Sequence, residues 1–276
     1  MDVQLFKRYF CGWPIVSLFR CSRNATTKKL NQFQAEKFKP IVAMTEANFR
    51  MRTHTLDKYS IELMTPLKST IDGVATNEKC LFDPKTGLKV VIMRYNHTHF
   101  VTFGCVYSGN TELNTYKRQN QVARIQKIAA LKNIAGINPY LYEQAESVLK
   151  EVQSQYSDIR LVGGCLGGSI AQYLGIKYQI PTYTVNGLPI GAGIQQKIGE
   201  NKLKESGNWV KHLIVKNDQF CDNPLFQFFS KILRFMGVRA PSNFGKRYII
   251  PSKFVSFSKT HEKVMESLEH FCGGRR

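Results

Sequence analysis

The stretch LVGGCLGGSI at 161–170 constrains this chain more than any other. An apolar run ends at Gly163, a cysteine follows Gly164, and small residues open a helical pattern. A Gly-x-Cys-x-Gly turn between strand and helix holds its central residue in a tight bend. Side chains two positions to either side would collide with the neighbouring strand and helix. Gly163 and Gly167 remove that collision, and Gly168 adds slack. The bend sets Cys165 at a helix N-terminus, where the dipole and the exposed N–H groups stabilise a thiolate. The Leu166 N–H points toward the place where an oxyanion would develop. The alternative is a glycine-rich turn around a buried, inert thiol. No Gly-Lys-Ser/Thr follows, so the stretch is not a phosphate-binding P-loop.

The surrounding pattern supplies a strand before the turn and a helix after it. DIRLVGG reads as a buried strand and LGGSIAQYLGIKY as a helix. Upstream, CLFDPKTGLKVVIMRY reads as two strands joined by a turn at Asp83 to Gly87, and HFVTFGCVY as a third strand. LNTYKRQNQVARIQKIAALKNIAG reads as a basic helix stopped near Gly136. NPYLYEQAESVLKEVQSQY reads as a helix capped by Asn138, with Pro139 in its first turn and Leu141, Ala145, Val148, Leu149 and Val152 on one face. PTYTVNG is a strand, AGIQQKIGENKLK a helix and WVKHLIVKND a strand. Strand and helix alternate from about 100 to 220, which predicts a mostly parallel sheet with helices on both faces. Residues 1 to about 75 lack clear periodicity. They are expected to form a helical extension with one or two helices broken at Pro40 and another short helix in IELMTPLKSTIDG.

In such sheets, active sites gather at the carboxyl ends of strands. Cys165, Asp218 and Asn110 fall there by sequence, and His261 follows in SFSKTHEKV. Asp222 is a second candidate acid, read more readily as a turn residue before Pro224. His270 is a second candidate base, read as a surface or packing residue of a C-terminal helix. His97 and His99 flank a hairpin turn, and His212 is read as structural.

RLVGGCLGGSIAQYLG resembles the GHSLGG-x-xAQ elbow of the class-three lipases and related α/β hydrolases. FGCVYSGNTE is similar to their oxyanion loop, TYTVNGLPIGAG to their TFGxPRVG strand, and HLIVKNDQFCDNP to their acid-bearing VNxxDxVPxLP segment. The resemblance covers about 90 to 265. It implies an α/β-hydrolase fold with Cys165 as nucleophile, Asp218 as acid, His261 as base, and Leu166 and Asn110 as oxyanion donors. The chain order of nucleophile, acid and histidine is the one found in α/β hydrolases. Three positions depart from the pattern. Cys165 stands for the serine, Gly164 for the histidine before it, and Ser108 for the arginine of the oxyanion loop.

Composition bounds the partners. The chain has 276 residues, 43% of them hydrophobic, enough for one large domain with extensions. Its net charge of +19 favours acidic partners such as an anionic membrane. The cations are scattered and carry no nucleic-acid-binding signature. Seven dispersed cysteines without a CxxC pair argue against zinc and suit a reducing compartment. No apolar run is long enough to span a membrane. The N-terminal patch Phe10 to Phe19 does not read as a signal peptide, and acylation at Cys11 or Cys21 is a weak anchoring alternative. PLFQFFSKILRFMGV, over 224–238, reads as a helix closing the core or as a lid that meets lipid.

The expectation is therefore an α/β-hydrolase domain over 76–276 behind an N-terminal helical extension over 1–75, cytoplasmic or peripheral to a membrane. Its leading function is hydrolysis or acyl transfer on an acyl ester or lipid, with no cofactor and no metal. The other reading is a catalytically silent hydrolase-fold protein that binds membrane or a protein partner through its basic surface.

Overall fold

The computed structural model describes residues 25–50, 54–66, 68–77, 79–106, 116–218, 239–254 and 263–273. The strands are β1 (Ala25–Lys28), β2 (Glu62–Leu63), β3 (Ala75–Thr76), β4 (Leu81–Asp83), β5 (Leu88–Tyr95), β6 (Thr98–Phe103), β7 (Ile159–Gly164), β8 (Thr182–Val185), β9 (Val210–Val215) and β10 (Gly245–Ile250). The helices are α1 (Gln32–Arg50), α2 (His54–Asp57), α3 (Tyr116–Ile134), α4 (Tyr140–Gln155), α5 (Cys165–Tyr178), α6 (Ala192–Ile198), α7 (Glu200–Glu205) and α8 (Val264–Gly273).

All the described strands join one sheet in the order β1-β10-β9-β8-β7-β6-β5-β4-β3, with β2 pairing β5. From β1 to β6 the neighbours run parallel, and from β6 to β3 they run antiparallel. This is the mostly parallel sheet with helices on both faces expected from the sequence, and it is consistent with an α/β-hydrolase fold.

Side-chain alternation builds two cores, one on each face. Leu88, Val90 and Ile92 of β5 and Leu161 of β7 meet Leu141, Ala145, Val148 and Leu149 of α4 and Leu166 and Ile170 of α5. Val91 and Met93 of β5 and Val162 of β7 point the other way, toward Phe38, Val42 and Met44 of α1 and Val264 and Leu268 of α8. The five residues expected on the apolar face of α4 are all buried. Each leucine and valine among them contributes roughly 1.5–3 kcal/mol by leaving water.

Four local expectations are corrected. α1 runs unbroken through Pro40. Proline there removes one backbone hydrogen bond, at a cost of about 3 kcal/mol. The orphaned carbonyl belongs to exposed Glu36 and can be hydrated, while Ala35, Phe38, Ile41 and Val42 around it are buried. Asn31 and Gln34 cap the helix reciprocally, Asn31 Oδ1 accepting from the Gln34 N–H at 2.8 Å. The short helix expected after Ile61 is instead β2, which pairs with β5 and is followed by loop. α4 begins after Pro139, with no side-chain cap from Asn138. The helix expected over AGIQQKIGENKLK is split into α6 and α7 at Gly199, whose φ of 86° a side chain would resist. Within the expected N-terminal extension, β1 is a parallel strand beside β10, and α1 covers one face of the sheet.

A polar cluster joins α4 to α5. Glu146 of α4 accepts from Lys177 Nζ at 2.7 Å, from Tyr173 Oη at 2.5 Å and from Tyr178 Oη. Burial raises the carboxyl pKa, but the three hydrogen bonds together outweigh it and bring it from 4.5 down to about 2. A folded pKa below the unfolded one stabilises the protein above pH 4.5, and that contribution is lost as pH falls from 4.5 toward 2. Glu146→Gln should lower stability at pH 7 by about 2 kcal/mol. It should also flatten the thermal unfolding midpoint between those two pH values relative to the wild type.

Candidate active site

β7 delivers two glycines and then a cysteine to the start of α5. Gly164 is extended, with φ −110° and ψ 150°, and Cys165 turns to φ 50°, in the left-handed region. An L-residue pays roughly 1–2 kcal/mol for that conformation and holds it only when its surroundings require it.

The requirement is close packing of backbone on backbone. A Cβ on Gly163 would lie 2.1 Å from the carbonyl oxygen of Gly167. A Cβ on Gly167 would lie 2.1 Å from the carbonyl oxygen of Phe103, at the end of β6. The first turn of α5 therefore rests directly on the ends of β6 and β7. Gly164, which stands where the lipase-like pattern has histidine, has its own cause. A Cβ there would lie 2.6 Å from Thr45 Cγ2 of α1, so a helix on the opposite face fills the space.

Further hydrogen bonds hold this turn. The Leu188 N–H donates to the Cys165 carbonyl at 2.9 Å. Ser169 Oγ donates to the Leu166 carbonyl at 2.8 Å, and Tyr142 Oη of α4 lies 2.5 Å from Ser169 Oγ. Burial pushes the Tyr142 pKa far up, so its hydroxyl stays protonated and serves as the donor to Ser169. The Cys165 side chain is half-buried and free of any disulfide, and Leu166 is buried in the core behind it. Cys165 is the first residue of α5.

Asp218 lies three residues past β9, two strands along from β7, and is fully buried. Its N–H donates to the Val215 carbonyl at 3.1 Å, and Asn217 before it takes φ 65°. Asn186, at the end of β8 between them, is also left-handed and accepts from the Val215 N–H at 2.9 Å. Cys165 and Asp218 thus both stand at carboxyl ends of parallel strands. His261 and Asn110 lie outside the described residues, as do Asp222 and the whole segment 224–238. In sequence, His261 falls between the described Phe254 and Lys263.

The other histidines take separate positions. His212 is buried between Thr184 Oγ1, 2.7 Å from its Nδ1, and the Phe244 carbonyl, 2.8 Å from its Nε2. Burial brings its pKa down to about 4, so it is neutral near pH 7 and accepts at Nδ1 while donating at Nε2. His97 is exposed in the β5–β6 turn, at the opposite end of the sheet from Cys165. His99 stacks on Tyr156, and His270 is exposed on α8. Among the described residues, no group of three His, Cys, Asp or Glu side chains could hold a metal ion. Sequence reasoning missed Thr45, Tyr142 and Ser169, whose roles depend on contacts between distant elements.

Solved structures that resemble this chain include lipases and esterases. A lipase from Rhizopus microsporus var. chinensis matches at 15% identity over 68% of both chains, with a TM-score of 0.40. A triacylglycerol lipase from Penicillium expansum matches at 12% identity over 81% of this chain and 82% of its own, also with a TM-score of 0.40. A hyperthermophilic esterase from Pyrobaculum calidifontis matches at 14% identity over 88% and 92%, with a TM-score of 0.28. No family model matches the sequence, and a search of curated proteins finds no match.

The backbone contacts give a direct test of the bend. Gly163→Ala and Gly167→Ala should each cost at least about 3 kcal/mol, because the clashing partner is backbone and cannot rotate away. Gly207→Ala, with nothing within 4 Å of the added carbon, should stay within about 0.5 kcal/mol of wild type in urea unfolding.

Proposed function

We propose that the chain is an α/β-hydrolase-type enzyme that cleaves or transfers an acyl group, with Cys165 as nucleophile. The observation that carries this reading is the left-handed backbone at Cys165, kept at a non-glycine residue between β7 and α5. An inert thiol needs no such bend.

In this reading His261 takes the proton from the Cys165 thiol, and Asp218 holds the imidazole in the required tautomer. The thiolate adds to the acyl carbonyl of an ester, thioester or amide. The oxyanion is met by the N–H of Leu166, with Asn110 as the second donor. The C–O, C–S or C–N bond breaks, and imidazolium returns the proton to the leaving alcohol, thiol or amine. A thioester on Cys165 remains. Water, or another nucleophile, then attacks that thioester while His261 accepts its proton. The Cys165 thiol is restored as the acid or the transferred acyl product leaves. A thioester reacts readily with amines and thiols, so transfer competes with hydrolysis. An acyl ester or lipid is the substrate class.

Iodoacetamide labelling followed by peptide mass spectrometry tests the assignment. In folded protein, Cys165 should label ahead of Cys80, Cys105 and Cys272. His261→Ala should slow it by about a hundredfold. Hydrolysis of a p-nitrophenyl ester should disappear in Cys165→Ala while thermal unfolding stays cooperative. Slow labelling that is indifferent to His261 would overturn the proposal and leave a hydrolase scaffold without acyl-transfer chemistry.

A further inference from the structure

α3 carries Lys117, Arg118, Arg124, Lys127 and Lys132 and not one acidic residue. Its inner side is fixed by buried Val122, Ala123, Gln126, Ala129 and Asn133. Asn133 anchors the helix end, donating from Nδ2 to the Pro189 carbonyl at 2.8 Å and accepting at Oδ1 from the Gly191 N–H at 3.0 Å.

The outer side mixes apolar groups and cations. Ile128 is 42% exposed and Leu131 66%, and the connection to α4 adds Ile137 at 56% and Tyr140 at 61%. Apart from Phe33, these four are the large apolar side chains exposed among the described residues. Arg124 precedes Ile128 by one turn, and Lys132 follows it by one turn. Both are exposed, as is Lys117 at the start of the helix.

The last turn of α3 and the start of α4 lie at the end of the sheet that carries Cys165. Tyr142, two residues after Tyr140, reaches Ser169, one turn into α5 from Cys165. Asn133 grips the connection that follows β8 at the same end of the sheet. A hollow of about 420 Å³, lined by Gly136, Ala192, Gly193, Gln196 and Arg239, opens beside it. Phe33 lies at the far end of α1, where its neighbour Gln32 bonds the Cys272 carbonyl, while Thr45 near the other end of that helix abuts Gly164.

We propose that the outer face of α3, with residues 137–140, docks on an anionic phospholipid bilayer. Ile128, Leu131, Ile137 and Tyr140 enter the interfacial layer, and Lys117, Arg124 and Lys132 lie over acidic headgroups. A bilayer accounts for both kinds of side chain. A nucleic-acid backbone would engage the cations alone and leave the apolar centre in water. This surface does not depend on the chemistry proposed for Cys165.

Vesicle cosedimentation of the full chain tests the surface. Wild type should pellet with mixed phosphatidylserine–phosphatidylcholine vesicles, pellet far less with phosphatidylcholine alone, and be released by salt. Arg124→Glu combined with Lys132→Glu should weaken binding by more than about tenfold, given about fivefold for each cation lost at the surface. Ile128→Ser combined with Leu131→Ser should weaken it by at least about tenfold. Phe33→Ser and Cys165→Ala should bind as wild type, which separates this proposal from the catalytic one. Should the serine variant fail to fold, the charge variant decides. The proposal is overturned if wild type ignores phosphatidylserine, if the folded α3 variants pellet like wild type, or if the chain binds duplex nucleic acid and not vesicles.

Discussion

The contact of α5 with the ends of β6 and β7 is the constraint on which the rest depends. No side chain separates them at Gly163 and Gly167, so the helix sits at backbone distance from the sheet. Close packing without side chains leaves little room for adjustment. It fixes where the helix begins, and so where the thiol of Cys165 projects. The other arrangements at that end follow from it. Tyr142 and Ser169 brace the first turn from the α4 side, and Thr45 closes it from the α1 side.

A second anchor keeps the neighbouring strands in register. Neutral His212 ties Thr184 of β8 to the Phe244 carbonyl just before β10. Asn186 ties the end of β8 to the end of β9. The two sets of bonds hold the stretch of sheet that leads to Asp218. They spend polar side chains inside the core, where each must be fully matched to avoid a desolvation cost. Beside these anchors, α3 stands apart: its inner face is bonded into the same end of the sheet, while its outer face keeps apolar and cationic groups in solvent.

Much of this was legible in the sequence where the signal is local. The glycine spacing around Cys165 reports a steric demand between residues four apart, and a Cβ at Gly163 or Gly167 would lie 2.1 Å from a backbone oxygen. The apolar face of α4 and the strand–helix alternation from β6 to β9 were equally plain, because burial imposes periodicity. What escaped reading depends on distant partners. β10 went unnoticed because Lys246 and Arg247 interrupt its apolar pattern, although β1 and β9 flank it on both sides. Pro40 looked like a helix end because proline's local cost is visible in sequence and the burial of its neighbours is not. β1 and β2 are too short to show alternation. At the candidate site, the bend at Cys165 was readable from the glycine pattern, whereas Thr45 sits 119 positions before Gly164, beyond the reach of any pattern.

That pairing of Thr45 with Gly164 has a consequence for how the chain can change. The two positions share one volume, so neither can grow alone. A histidine at 164, as in the lipase-like pattern, requires a smaller residue or a shifted helix at 45. Related sequences should therefore trade size between these sites, and grafting the ordinary elbow into this scaffold without altering α1 would push that helix off the sheet.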